Sequence, residues 1–155
     1  MSSARQRQRR RDPPWDLDGV NQGPSSNDIL LHWITTGDNY RRWDSTTFEP
    51  TERLMICEEI VGVMQMEGIA HRQARGINTR IQILRRSYNT TREFVIHAGA
   101  NTDQIDPIIL GYARRVCPYW DLLDPVMGRP ERPTDQGFPN ANSEASSDNE
   151  STNTT

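Results

Sequence analysis

The amino-acid sequence predicts an all-α domain organised around one long helix between His71 and Ala98. Apolar residues in this stretch recur at steps of three and four, a spacing that keeps them on one helical face and that a strand would scatter over both faces. Two shorter segments before it show similar spacing between helix start and stop signals. The predicted buried face of the long helix consists of Ile77, Ile81, Leu84, Tyr88 and Val95, with Thr91 in register.

Length and charge limit the organisation of the chain, which has 155 residues and a formal net charge of −3. Because both ends are poor in apolar residues, we expect one folded domain of roughly 100 residues. This domain is predicted at 26–130, between a disordered basic arm at 1–25 and a disordered acidic tail at 131–155. All 18 cationic residues are arginine, and their segregation along the chain is more informative than the net charge.

The arm combines a run of arginines with prolines and glycines, and it has too little apolar surface to offset the entropy of ordering. Three interpretations remain open for the run: a nuclear-import signal, an arm that contacts phosphates, or a solubilising tail. Trp15 is unusual in such a segment, and we expect it to dock on the domain or on a partner. The arginines of the arm are Arg5, Arg7, Arg9, Arg10 and Arg11.

The first helix is predicted to begin near Ser26 or Asn27, whose short polar side chains can accept hydrogen bonds from free backbone amides. Gly37 is expected to end it. Its predicted buried face, and the aromatic residues expected to complete the core after it, are Ile29, Leu30, Trp33, Ile34, Tyr40 and Trp43.

The second helix is predicted to begin with Thr51 as its N-cap and to end at Gly68. The short connection from Gly68 to Arg72 requires the long helix to turn sharply back across it, as in a helix-turn-helix. Acidic residues on this helix are expected to face away from any phosphate backbone. The predicted buried residues are Leu54, Cys57, Ile60, Val61 and Met64, and the acidic ones are Glu58, Glu59 and Glu67.

A last helical unit is predicted at 101–127, where Asp106 before Pro107 has the pattern of a helix start. Pro118 interrupts this unit, and the aromatic and aliphatic segment after it is expected to brace the far end of the long helix. If the segment around Tyr119 and Trp120 is uncovered instead, it becomes a candidate surface for a protein partner.

Catalysis and metal binding find no support in the sequence. Cys57 and Cys117 are far apart, and no histidine spacing resembles a metal site. The chain also lacks a glycine-rich phosphate loop and a nucleophile beside a base. We therefore predict no enzyme activity, no metal and no cofactor. With neither a signal peptide nor a membrane span in the sequence, an intracellular, soluble protein is expected.

The long helix is predicted to carry a cationic face opposite its apolar stripe. The stretch from His71 to Ala98 contains six arginines and one acidic residue. Such a face suits an element that reads a nucleic-acid groove, although arginines opposite an apolar stripe also form ordinary solvated surfaces. The predicted outward residues are Arg72, Arg75, Thr79, Gln82, Arg86 and Glu93, with Asn78, Arg85 and Asn89 on one flank.

Four segments together resemble the Myb/SANT-like domains of the trihelix and MADF types that are common in fungal and oomycete proteins. They are ILLHWITTGDNYRRW (29–43), TERLMICEEI (51–60), GINTRIQILRRSYNTTREF (76–94) and CPYWDLLDPVMGRP (117–130). The resemblance implies a three-helix helix-turn-helix bundle with a long third helix, a short C-terminal bracing unit, and core roles for Trp33, Trp43 and Tyr88. It also implies DNA binding through the third helix, although some SANT-like relatives bind histone tails or other proteins.

The sequence and the resemblance together predict a nuclear protein that binds double-stranded DNA. In this prediction Arg75, Gln82 and Arg86 approach base edges in the major groove, with Thr79 on the same face. The alternative is a chromatin-associated module that binds a protein through the Tyr119 and Trp120 segment, or an acidic peptide through the basic face. The residues expected to contact phosphates are Arg72, Arg85 and the arm residues Arg5, Arg7, Arg9, Arg10 and Arg11.

Overall fold

A computed structural model of the chain describes residues 11–99 and 105–128, which contain six α-helices and no β-strand. The all-α prediction is therefore confirmed for this part of the chain. Its central helix, α4, packs against α3, α5 and α6, and α1 packs against α2, α3 and α6. The helices are α1 (Ser26–Thr35), α2 (Asn39–Ser45), α3 (Pro50–Met66), α4 (Ala74–His97), α5 (Pro107–Val116) and α6 (Trp120–Met127).

The apolar stripe of α4 forms as its spacing predicts. All six residues of the predicted buried face, from Ile77 to Val95, are buried in the folded domain. The helix begins at Ala74 rather than near His71, because the backbone at Gln73 is extended, with φ −119° and ψ 155°. This late start moves the preceding residues off the helix and changes the environment of Arg72.

The ends of α1 and α3 differ slightly from the predicted positions. Ser25, rather than Ser26 or Asn27, caps α1, and it exchanges hydrogen bonds of 3.1 Å with the backbone and side chain of Asp28. Thr51 is not an N-cap, since α3 already begins at Pro50, a residue suited to the first helical position. Gly68 ends the turn after α3 with φ +86°, a conformation that glycine adopts without strain.

Helix α2 is an element that the predicted three-helix arrangement did not contain. It carries Trp43 into the core, where the side chain is fully buried. The indole Nε1 of Trp43 donates a 3.0 Å hydrogen bond to Asn78 Oδ1 on α4. The guanidinium of Arg53 on α3 lies 4.0 Å from the centre of the Trp43 ring. Trp43 thus joins α2, α3 and α4.

The C-terminal helices brace the far end of α4, as predicted. Trp120 is buried and stacks on Tyr88, with ring centres 5.1 Å apart, and the Tyr88 hydroxyl donates a 2.6 Å hydrogen bond to Asp124. The Tyr119 hydroxyl accepts a 2.6 Å hydrogen bond from Asn27 on α1. These contacts bury Trp120 and partly bury Tyr119, while Leu122 in the same segment is 49% exposed. A partner surface at this segment stays a prediction.

The predicted arm is not a free arm over the residues that the structure describes. Asp18 is buried, and the carbonyl of Trp15 accepts a 2.9 Å hydrogen bond from the backbone of Asn27. The folded domain therefore begins before residue 26, and Trp15 docks on the domain. Arg11 is exposed at the start of this segment. The predictions for Arg5, Arg7, Arg9 and Arg10, and for the acidic tail at 131–155, lie outside the described residues.

Candidate nucleic-acid interface

The outer face of α4, defined here as Arg75, Thr79, Gln82, Ile83 and Arg86, is exposed over about three helical turns. Because α4 rises about 1.5 Å per residue, the two arginines lie about 16 Å apart along the axis, on the same side of the helix. Neither forms an ion pair with another described residue. The face thus carries two positive charges that no carboxylate of the described chain neutralises.

The polar residues between these arginines differ in how free they are. The Thr79 hydroxyl donates a 3.0 Å hydrogen bond to the Arg75 carbonyl, so this hydroxyl retains only its acceptor capacity. The Gln82 amide makes no hydrogen bond within the described part of the chain and keeps both its donors and its acceptor. Glu93 is exposed farther along α4 and adds one negative charge near its end.

Arg72 does not belong to the exposed face, which corrects the prediction. Its side chain is buried, and its guanidinium binds Asp18 through Nη2 at 2.9 Å and Nε at 3.2 Å. Nη2 also donates to the carbonyl of Pro13, and the guanidinium lies 4.2 Å from the centre of the Trp15 ring. Arg72 precedes the first residue of α4, so the helical geometry that predicted its exposure does not apply to it.

Asp18 is the centre of this buried cluster. Its carboxylate accepts hydrogen bonds from the backbone and side chain of Ser26, from Arg72 and from His71, the last at 2.9 Å. Burial raises the pKa of Asp18, but these hydrogen bonds outweigh burial and hold the pKa below its ordinary value of 3.8. The cluster fastens the N-terminal segment to α1 and to the start of α4.

Arg85 is only partly available. Its Nη1 lies 2.7 Å from Asp44 Oδ1, and both side chains are about one-third exposed. The Arg85 guanidinium also lies 5.8 Å from the centre of the Trp43 ring. This ion pair reduces the positive charge that Arg85 offers to a ligand, in contrast to Arg75 and Arg86.

Three residues on or beside the outer face were not predicted as site residues: Ile83, Arg80 and Trp15. Ile83 is 47% exposed in the middle of the face. Arg80, beside it, lines a concavity of about 480 Å³ together with Trp15, and its guanidinium lies 5.5 Å from the centre of that ring. An aromatic residue in a segment otherwise poor in apolar residues was the sequence signal for Trp15, but spacing on α4 could not show that Arg80 meets it.

Acidic residues are concentrated on the neighbouring helix. The single arginine of α3, Arg53, is buried under Trp43 and donates hydrogen bonds to Thr46, Thr47 and the Trp43 carbonyl. One of the exposed acids, Glu59, pairs with Arg42 at 2.6 Å. The described domain therefore separates an acidic α3 from a cationic face on α4. The exposed acidic residues of α3 and its C-cap are Glu52, Glu58, Glu59 and Glu67.

An apolar surface lies at the far end of α4 and on α5. The rings of Phe94 and Tyr112 are 4.3 Å apart, and both side chains are more than 40% exposed. Ile108 on α5 is 82% exposed. These side chains form an exposed apolar surface beside α4.

Residues 11–99 and 105–128 contain no group of three histidine, cysteine, aspartate or glutamate side chains placed to hold a metal ion. In the same ranges, none of the helices combines the length and apolar character that crossing a membrane requires. No protein-family model, curated protein or solved structure matches the chain.

Proposed function

We propose that this is a nuclear protein that binds double-stranded DNA through the outer face of α4, in the manner of a Myb/SANT-like domain. In this proposal α3 and α4 act as the helix-turn-helix pair, and α4 lies in the major groove, which is wide enough for an α-helix. The observation that carries the proposal is the presence of two exposed arginines without ion pairs on one face of α4, while the acidic residues lie on α3.

Each exposed side chain of the face has a DNA group that suits its chemistry. Arg75 and Arg86 can each donate two hydrogen bonds to guanine, and Gln82 can form a donor and acceptor pair with adenine. Ile83 offers apolar contact to the methyl group of thymine. Arg85 is better suited to a phosphate contact. Its ion pair with Asp44 is partly exposed, so a DNA phosphate could replace Asp44 as the partner of Arg85.

The proposal is tested by fluorescence anisotropy with the full chain and a labelled random-sequence duplex of about 20 base pairs. We expect micromolar binding at low salt, and the logarithm of the affinity should fall linearly with the logarithm of the salt concentration. Arg75→Ala and Arg86→Ala should each weaken binding. Arg115→Ala is the matched control, because Arg115 is an exposed arginine on α5 without an ion pair to a described residue.

Base reading is tested with a duplex selected from a random library. Arg86→Ala should cost about 1 to 3 kcal/mol on the selected duplex if Arg86 reads a base, and less on random DNA. Equal losses on both duplexes would make Arg86 a phosphate contact. Absence of binding to the random-sequence duplex at low salt, and failure to select any duplex from the library, with the protein folded, would refute the proposed function.

A second candidate is a protein-interaction module of chromatin, and the exposed apolar surface at Phe94, Ile108 and Tyr112 favours it. It predicts that Phe94→Ser and Tyr112→Ser abolish binding to the partner protein. In that case Arg75→Ala and Arg86→Ala would leave partner binding unchanged. Co-purification of tagged variants from nuclear extract distinguishes these patterns.

A further inference from the structure

A concavity lies beside the outer face of α4, next to Trp15 and Arg80. It measures about 480 Å³ and lies between the N-terminal segment and the first turns of α4. Trp15, Arg72 and Arg80 line it, together with the polar side chain of Gln73. Thr79 and Ile83 also line it, so the concavity is continuous with the outer face.

Arg80 is the cation of this concavity that remains without a partner. Its Nε is buried and makes no hydrogen bond within the described residues, and none of the ion pairs found there includes it. A charged group with a buried N–H that lacks an acceptor is costly, and an anion in the concavity that Arg80 lines would supply the missing counter-charge. Arg72 differs, because Asp18 neutralises it inside the domain.

Trp15 and Arg72 give the concavity a fixed wall. The Arg72 guanidinium lies 4.2 Å from the Trp15 ring centre and is itself held by Asp18, Ser26 and the Pro13 carbonyl. The Arg80 guanidinium lies 5.5 Å from the same ring centre. A guanidinium held beside an aromatic ring loses less freedom on binding than a free side chain does, which favours capture of a ligand.

We propose that this concavity binds one phosphate group of the DNA backbone that borders the groove occupied by α4. The proposal rests on the proposed function and adds Arg80 to it as the phosphate ligand. The planar guanidinium of Arg80 matches phosphate oxygens, and the Gln73 amide provides a neutral donor at the same wall.

Replacement of Asp12 provides a second test of this site, in which binding should increase. It is exposed and lines the same concavity, where its negative charge opposes a phosphate. Asp12→Asn should therefore strengthen binding, whereas a purely structural role for the concavity gives no reason for a gain. The exposed Asp16, which does not line the concavity, is the matched control for removal of a negative charge.

The decisive variants are Arg80→Gln and Arg80→Lys, measured with the random-sequence duplex over a range of salt concentrations. A single lost phosphate contact should reduce the salt slope by about 0.9 and the affinity by about eightfold near 0.1 M salt. Arg80→Lys should restore most of the slope, because it restores the charge. Thermal melting identifies any variant whose loss of binding comes from unfolding.

Gly76→Leu tests the same site without a change of charge. Gly76 lines the concavity, and a Cβ at this position would meet no atom within 4 Å. A leucine there should occupy part of the concavity and replace a glycine inside α4, so binding should fall while stability is kept or rises. Wild-type binding and an unchanged salt slope in both Arg80→Gln and Gly76→Leu would overturn the phosphate site.

Failure of this proposal is distinguishable from failure of DNA binding itself. If Arg75→Ala and Arg86→Ala weaken binding while Arg80→Gln leaves both the affinity and the salt slope unchanged, the phosphate site is refuted and the DNA interface stands. If the wild-type protein does not bind DNA, titration with inorganic phosphate, followed through the NMR signal of the Arg80 Nε–H against chloride at equal ionic strength, decides the matter. A saturable shift supports a site for free phosphate, and its absence refutes the site.

Discussion

Replacement of Asp18 by asparagine tests whether the N-terminal segment is part of the folded domain. The Asp18 side chain is 1% exposed and accepts hydrogen bonds from Ser26, His71 and Arg72. Asparagine has nearly the same shape but leaves the buried Arg72 guanidinium without its counter-charge. Removing one partner of a buried ion pair typically costs about 3 to 5 kcal/mol. A loss of this size is a large fraction of the roughly 5 to 15 kcal/mol that stabilises a typical domain.

The stabilisation from Asp18 should depend on pH in a defined direction. The folded-state pKa of Asp18 lies below its ordinary value of 3.8. A group with a lowered pKa in the folded state contributes its full stability above the unfolded-state pKa and loses it as the pH falls through the folded-state pKa. The difference in unfolding free energy between wild type and Asp18→Asn should thus be constant near neutral pH and shrink below about pH 4.

Urea unfolding of both proteins at several pH values, followed by Trp fluorescence and circular dichroism, measures this difference. Asp16→Asn is the matched control, because Asp16 is exposed and only two residues away. It should change the unfolding free energy by less than about 0.5 kcal/mol. A cost below about 1 kcal/mol for Asp18→Asn, or a cost that is equal at every pH, would refute the assignment of Asp18 and Arg72 as a buried pair.

Two further substitutions test the packing around α3 and α4. Gly62→Ala should stabilise the domain by about 0.5 to 1 kcal/mol, because Gly62 lies inside α3 and an added Cβ meets no atom within 4 Å; a lower urea midpoint would contradict this. Tyr88→Phe should cost about 2 kcal/mol, since it removes the 2.6 Å hydrogen bond to Asp124. Burial raises the pKa of Tyr88, so the wild type, unlike the variant, should lose this stabilisation as the pH rises above about 10.

Local signals in the sequence were sufficient to predict the helices that carry the proposed interface. Repeated steps of three and four along α4 indicate which residues face the core, and the burial of Ile77, Ile81, Leu84 and Tyr88 follows that pattern. The start of α5 is equally local, because Asp106 accepts a hydrogen bond from the amide of Ile108 two residues later. Such contacts depend on neighbours in the chain and on helix geometry alone.

Contacts between distant polar residues were the part that the sequence did not reveal. Asp18 and Arg72 are 54 residues apart and belong to segments that composition assigns to a free arm and a cationic helix. Burial of Arg53 depends in the same way on the Trp43 ring, which α2 brings over it. Because no periodicity encodes such pairs, composition alone predicts that each charged partner is solvated. The arm boundary and the position of Arg72 were wrong for this reason.

The outer face does not contain Arg72, which was predicted to belong to it, because α4 begins later than predicted. Extrapolating 100° per residue backward from Arg75 places Arg72 outward, but this holds only if the helix extends that far. The backbone is already extended at Gln73, and Arg72 turns toward Asp18 instead. A helix boundary that shifts by a few residues therefore changes which side chains a helical face contains, even when its buried stripe is predicted correctly.

Two groups among the arginines of the described domain can be separated by different measurements. Arg53 and Arg72 are buried against tryptophan rings, so their replacement should lower the unfolding free energy. Arg53 does not line the proposed phosphate site, so its replacement should also leave the salt dependence of DNA binding largely unchanged. Arg75 and Arg86 are exposed and without ion pairs, so their replacement should reduce the salt slope with little change in stability. Net charge cannot make this distinction, because a formal charge of −3 counts neutralised and free guanidiniums alike. The unpaired guanidiniums that attract DNA are those within about 10 Å of its phosphates, because salt screens charges that are farther away.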